Sequence, residues 1–464
     1  MKPLTDELGV LLNRGFDRHM RLAVTGLSGS GKTAFITALV NQLLHLHYGA
    51  RLPLFTAARE QRVLGVKRVA QRDLSIARFA YDEGIAALQA MPATWPVPTR
   101  GVSEIQLALR FRTQDPLRRY LKEHSTLYLE IVDYPGEWLL DLPMLEQDYL
   151  AWSQQMNQLL KNSGNAAAQQ WLIQCQHCDP FAPADENQLA DIAAIYTDYL
   201  HQAKQHGGYF IQPGRFILPG ELAGAPVLQF FPWCGVAITP QQLAQAKPNS
   251  TIAMLAQRYH YYCQHVVKAF YQAHFVRFDR QIVLVDCLQA LNQGYQACID
   301  MQMALRQLMR SFHYGKRTLL RRLFSPCIDK LMFAASKIDH VTRDQHGNLV
   351  QLLQSMVQDP WQQAAFEGIK IECCGIASVQ ASENGTVDYQ GKVFPAIKGY
   401  RLSDGSPITY FPGEVPTRLP DALFWQTQGF DFSSLRPLQI TPAEVAGHCH
   451  LDNVMEFLLG DKLR

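Results

Sequence analysis

Apolar residues fall into short unbroken runs separated by long stretches in which they recur every three or four positions. Five runs, four of them with β-branched residues, end at turn formers, namely 22–25, 127–132, 282–285, 331–335 and 369–376. Runs of that length, apolar on both faces, predict strands of a covered, mostly parallel sheet. A sixth segment, 105–111, alternates through Ile105, Leu107, Leu109 and Phe111, which predicts a half-buried strand just before the run at 127.

Between these strands the pattern turns helical. Phe35, Leu39, Leu43 and Leu44 form one stripe, and Ile252, Leu255, Tyr259, Tyr262, Val266 and Phe270 form another. Residues 144–162 and 185–206 also read as helices, interrupted by Gly207-Gly208 and the proline- and glycine-rich 213–225. Past the last run, Gly385, Gly391, Gly399 and Gly405 punctuate short alternating segments, so 380–412 is expected to form β-hairpins. A final helix is expected over 443–459, with Pro442 near its first turn.

The first run leads straight into Gly26-Leu27-Ser28-Gly29-Ser30-Gly31-Lys32-Thr33, which fits G-x-x-x-x-G-K-[ST] without a mismatch, and the helical stripe from Phe35 follows. Glycines let backbone N–H groups close around a phosphate chain, and the helix start adds its positive dipole end. Ser28, Gly29, Ser30, Gly31, Lys32, Thr33 and Ala34 are therefore candidate phosphate contacts, with Lys32 reaching the β- and γ-phosphates and the Thr33 hydroxyl binding Mg²⁺.

Downstream motifs choose among phosphate-handling classes. The run at 127–132 ends in Asp133-Tyr134-Pro135-Gly136, a D-x-x-G arrangement in which Asp133 serves Mg²⁺ and the Gly136 N–H senses a γ-phosphate. Residues 331–335 run into Ser336-Lys337-Ile338-Asp339, close to the guanine-reading [NT]-K-x-D with serine in first place. A carboxylate there can accept both N1–H and the 2-amino group of guanine, a pair adenine lacks. The strand at 369–376 ends in Ala377-Ser378, placed to offer an N–H to guanine O6. For the threonine that closes over Mg²⁺ and the γ-phosphate we select Thr99, in Trp95-Pro96-Val97-Pro98-Thr99-Arg100-Gly101, over Thr94 and Thr113. Glu137 stands where many GTPases place a water-orienting glutamine. Arg100, Arg62 and Arg72 are candidates to supply positive charge. The reading is a Mg²⁺-dependent GTPase binding GTP and GDP, with slow intrinsic hydrolysis; a P-loop kinase acting on a small metabolite and a nucleotide-stabilised scaffold with negligible turnover are the alternatives.

The strings GLSGSGKT at 26–33, WPVPTRG at 95–101, DYPGEWLLDLP at 133–143 and SKID at 336–339 together resemble the YcjX-like family of bacterial P-loop stress-associated GTPases. The resemblance covers essentially the whole chain. It implies a cytoplasmic GTPase, peripheral to the inner membrane or to a membrane protein, linked to bacterial stress.

Roughly 200 residues separate Asp133 from Ser336, far more than a helix–strand–helix connection needs. The expected organisation is thus an α/β P-loop G domain built from 1–143 and 281–464, with a small helical insertion at 58–92 and a larger one at 144–280 that offers a surface to a protein partner. Composition adds exclusions. Net charge is +2 and charged residues are 18% of the chain, which argues against disorder and against nucleic-acid binding. The ten cysteines are scattered, as in a reducing compartment, and Cys175, Cys178, His448, Cys449 and His450 lack zinc-site spacing. The basic group Arg306, Arg310, Lys316, Arg317, Arg321 and Arg322 reads as a solvated helix end.

Overall fold

The computed structural model describes residues 18–27, 29–47, 51–99, 101–114, 123–161, 166–311, 328–366, 368–441 and 444–464. Ser28, Arg100, Pro442, Ala443, Lys316, Arg317, Arg321 and Arg322 lie outside them. The chain divides into two compact units, one drawn from Met1–Pro135, Phe278–Cys298 and Pro326–Arg464, the other from Gly136–Arg277 and Ile299–Ser325.

The first unit is built on an eight-stranded sheet. Its strands are β1 (Arg18–Gly26), β2 (Val63–Arg68), β3 (Ala77–Arg78), β4 (Ser103–Arg112), β5 (His124–Asp133), β6 (Arg280–Val285), β7 (Lys330–Ala335) and β8 (Lys370–Gly375). The order is β2-β4-β5-β1-β6-β7-β8, with β3 beside β4. The pairs β5/β1, β1/β6, β6/β7 and β7/β8 are parallel, while β4/β5 and β2/β4 are antiparallel. All six apolar segments became strands, each placed within a few residues of its expected limits. Because β1 lies between β5 and β6, the chain leaves it toward both sides of the sheet, which opens a crevice at the carboxyl ends of the strands. This is the expected P-loop architecture.

Residues 58–92 differ from the helical expectation. They supply the edge strand β2 and the short β3 as well as the helix Tyr81–Gln89. In Val63-Leu64-Gly65-Val66-Lys67-Arg68 only Val63 is fully buried, so there was little alternation to read. Pairing with β4 supplies the order that the local pattern lacks.

Helix Lys32–Leu44 is buried continuously from Ala34 to Leu43. It shares one apolar cluster with Leu22 and Val24 of β1, Ile131 of β5, and Val454 and Leu458 of the last helix. That helix runs over Leu451–Leu459, later than the expected 443. The preceding residues are held otherwise: Cys449 exchanges two backbone hydrogen bonds with Ala377, Gly447 accepts from Gln380, and His450 turns left-handed at φ 59°. The expected hairpins appear as β9 (Ser382–Tyr389), β10 (Lys392–Tyr400) and β11 (Pro407–Tyr410) in one antiparallel sheet. The β9–β10 turn is Gln390-Gly391, with φ of 53° and 75° at its two residues, the double left-handed turn that follows strand twist.

The second unit is helical. It opens on a 3₁₀ segment, Gly136–Glu146, followed by helices Tyr149–Lys161, Ala166–Gln176, Glu186–Gln205 and Thr251–Tyr261. Asp185 starts the third by accepting the N–H groups of Asn187 and Gln188. The stripe from Ile252 continues through a π-helical turn at Tyr262–Val267 into Lys268–Ala273. Trp152, Phe230, Tyr259 and Tyr262 pack ring against ring in its core. Among the described residues no helix is long and apolar enough to cross a membrane.

Candidate functional site

Among the described residues, the loop after β1, Thr99, Asp133 and the motif residues after β7 and β8 lie at the carboxyl edge of the sheet of the first unit. Gly26 ends β1, and a β-carbon there would lie 2.7 Å from the Leu284 carbonyl oxygen on β6. Gly31 caps helix Lys32–Leu44 at φ 82°, a conformation that favours glycine. These two residues let the loop turn tightly.

A cavity of about 250 Å³ extends from this loop to the ends of β7 and β8. One end is lined by Gly29, Ser30, Gly31, Lys32, Thr33 and Ala34, the other by Ser336, Lys337, Asp339, Ala377 and Ser378. Two sets of residues, called independently from sequence, therefore line one continuous space.

At the phosphate end Thr33 Oγ1 lies 3.3 Å from Thr99 Oγ1, and the Thr99 hydroxyl donates to Asp133 Oδ2. The rival threonines are engaged elsewhere, Thr94 with the Ala87 carbonyl and Thr113 with Ser125. Asp133 is 1% exposed, and burial raises its pKa against the opposing effects of the Lys32 charge and the Thr99 hydroxyl. Its Oδ1 and the Ser30 Oγ are buried without a hydrogen-bond partner. Two hydroxyls and a carboxylate with an unused oxygen form a hard-oxygen donor set that suits Mg²⁺.

At the opposite end Ser336 braces β7 on β6, its N–H and hydroxyl both donating to the Val285 carbonyl at 2.9 and 3.3 Å. Lys337 is left-handed at φ 60° and its ammonium pairs with Asp286. Asp286 also caps helix Cys287–Gln293 through the Gln289 N–H at 3.0 Å. Sequence reading missed Asp286, although an acid between an apolar run and a helix is a recognised start signal. Asp339 accepts the N–H groups of Ala381 and Ser382 on Oδ2, at 2.6 and 3.3 Å, and has His340 Nδ1 3.2 Å from Oδ1. The Ala377 N–H donates to the Cys449 carbonyl, whereas that of Ser378 has no protein partner among the described residues. Trp95 Nε1 donates to the Leu435 carbonyl at 2.9 Å and so ties the segment before Thr99 to the C-terminal region. No local pattern announces that bond, because its partner lies 340 positions away.

Two arginines named from sequence are in this unit. Arg62 is buried against Glu60 and the Leu463 carbonyl, so its guanidinium is committed structurally. Arg72 is exposed, with its charge 5.8 Å from the Tyr128 ring centroid.

Gly136 and Glu137 belong to the second unit, where they begin the 3₁₀ segment. Glu137 is 6% exposed and accepts from Lys204 Nζ at 2.8 Å, which provides the partner a buried carboxylate needs. Further along, Asp141 accepts the Gly214 N–H at 2.8 Å and the Tyr262 hydroxyl at 2.5 Å. Burial pushes its pKa up to about 7. The Arg215 guanidinium lies 3.3 Å from the Trp138 ring centroid. The distinctive string after D-x-x-G is thus an anchored segment of the helical unit.

Comparison with known proteins gives whole-chain matches. The family profile described as "YcjX-like family, DUF463" matches residues 20–463. A protein of Escherichia coli strain K12 named "Ras-like GTPase YcjX" is 62% identical over 465 residues, covering 100% of both chains. A protein of the same name from Shewanella oneidensis MR-1 is 46% identical over 478 residues, covering 99% of this chain and 98% of its own.

Proposed function

The chain belongs to the YcjX-like family, and from that membership we propose that it is a Mg²⁺-dependent protein that binds GTP and GDP and hydrolyses GTP. The observation that carries the proposal is the single cavity shared by the phosphate loop and the Ser336–Asp339 and Ala377–Ser378 edge. Its two ends suit the two ends of a guanine nucleotide.

In this reading the backbone of Gly29 to Ala34 holds the phosphate chain and Lys32 balances charge on the β- and γ-phosphates. Thr33, Thr99 and Asp133 would hold Mg²⁺, which when bound supplies charge neutralisation between those phosphates. Thr99 would answer to the γ-phosphate. Asp339 would read the purine edge, Lys337 and Ser336 would set its position, and the Ser378 N–H would meet O6. Gly136 remains assigned from sequence to sensing of the γ-phosphate. Glu137, held by Lys204, is a poor water-orienting group, and this supports a slow intrinsic rate. Ser28 and Arg100 remain assigned from sequence, the first to phosphate and the second to charge stabilisation. A role in bacterial stress, a cytoplasmic location at the inner membrane and a protein partner on the helical unit complete the proposal on the strength of family resemblance.

The test is phosphate release from GTP and from ATP by purified protein, with Mg²⁺ and with EDTA, beside identification of the nucleotide that copurifies. We expect a guanine nucleotide and slow, Mg²⁺-dependent release from GTP. Release from ATP alone, or transfer to an acceptor other than water, would overturn the assignment.

A further inference from the structure

A carboxylate accepts at about four lone-pair positions, two on each oxygen, and has no proton to donate. At Asp339 the protein already occupies three. Oδ2 takes the N–H groups of Ala381 and Ser382. Oδ1 faces His340 Nδ1 at 3.2 Å, and opposite an acceptor that nitrogen must be the one carrying hydrogen. Asp339 and His340 are 6% and 5% exposed, and both belong to the one turn Ile338–His340. The His340 N–H donates to the Lys337 carbonyl at 2.9 Å, so backbone as well as packing hold the ring beside its acceptor. Both residues line the cavity.

Guanine presents two donors on the edge an aspartate reads, N1–H and the 2-amino group, whereas hypoxanthine presents N1–H alone. One acceptor position is left for them. We propose that His340 is a specificity-determining residue: by occupying one position on Asp339 Oδ1, it limits that carboxylate to a single purine donor. The site then recognises the N1–H that guanine and hypoxanthine share, and inosine triphosphate binds nearly as well as GTP. This rests on the guanine-nucleotide reading and adds to it which part of the base is read.

The test is competition of GTP, ITP and ATP against a fluorescent guanine nucleotide, with Mg²⁺ present, on full-length protein. For the wild type we expect GTP and ITP within about fivefold of each other and both well ahead of ATP. His340→Phe keeps a ring and removes the donor, which frees Oδ1. GTP should then gain on ITP by about tenfold or more, the worth of one hydrogen bond to a charged group. His340→Asn places an amide N–H near the position of Nδ1 and should restore the wild-type ratio. A wild type that already prefers GTP to ITP by about a hundredfold overturns the inference, whatever the variants do. So does a His340→Phe ratio equal to that of the wild type. A wild type that prefers ATP removes the guanine reading itself, a different outcome from either.

Discussion

The hydroxyl oxygens of Thr33 and Thr99, 66 positions apart in the chain, lie 3.3 Å from each other. Asp133 accepts from the second of them. Three residues from a helix start, a loop and a strand end thus share one point, and the loop residue is the one without regular structure to fix it.

That difference predicts how Thr99→Ala should behave. Thr33 and Asp133 remain to serve a diphosphate, so GDP affinity should stay within about threefold of wild type. Affinity for a non-hydrolysable triphosphate analogue should fall by about tenfold or more, the loss of one hydroxyl ligand. Titration calorimetry with both nucleotides checks this. Equal loss for the two would place Thr99 outside the switch.

Lys32 is half-buried at the first position of its helix and has no part in the apolar cluster. Lys32→Ala should therefore keep the fold, shown by an unchanged circular dichroism spectrum. At ligand concentrations 100 times the dissociation constant, the wild type should gain about 2.7 kcal/mol. The variant should show almost none of that thermal shift at the same concentration. A full shift in Lys32→Ala would move the phosphate site elsewhere.

Asp141 gives a pH prediction independent of nucleotide. Its folded-state pKa, about 7, lies above the ordinary 3.8, so the native chain keeps a proton that the unfolded chain has lost. Its contribution is greatest below about pH 4, falls as pH rises through that window and levels off above about 7. Asp141→Asn imitates the protonated acid, its oxygen accepting from Gly214 and its amide donating to the Tyr262 oxygen. Wild type and variant should melt together near pH 4. By pH 8 the variant should be the more stable, by on the order of 4 kcal/mol in the limit. Parallel melting curves at all pH values would mean that Asp141 stays ionised.

Much of this was legible because the signals were local. The phosphate loop follows its strand and precedes its helix within a few residues, and β5, β7 and β8 each end at a motif. Thr99, chosen from a loop, donates to Asp133. What escaped was set at long range. Strand β2 exists through pairing with β4 across a bulge between Val63 and Gly65. Asp339 meets donors 42 and 43 positions on, and Trp95 meets a carbonyl far beyond either. The final helix began late because Ala377 and Cys449 pair instead. Periodicity cannot show such contacts, since each depends on where another part of the chain has already been placed.

Asp339 offers the strictest test of the base assignment. Its Oδ2 faces two backbone donors that cannot turn away, the N–H groups of Ala381 and Ser382. In Asp339→Asn the side-chain oxygen stays with them and the amide nitrogen takes the place of Oδ1, with His340 moving its hydrogen to Nε2 so that Nδ1 accepts from the amide. A donor then faces the N1–H of guanine, and the repelled pair costs binding by about tenfold or more. Adenine carries an acceptor at N1 and suffers no such penalty. We therefore expect GTP affinity to fall while ATP affinity holds or rises, so the ratio of the two collapses. Competition assays on both proteins read that ratio directly. An Asn variant that keeps the wild-type preference for GTP would show that the purine edge lies elsewhere in the cavity.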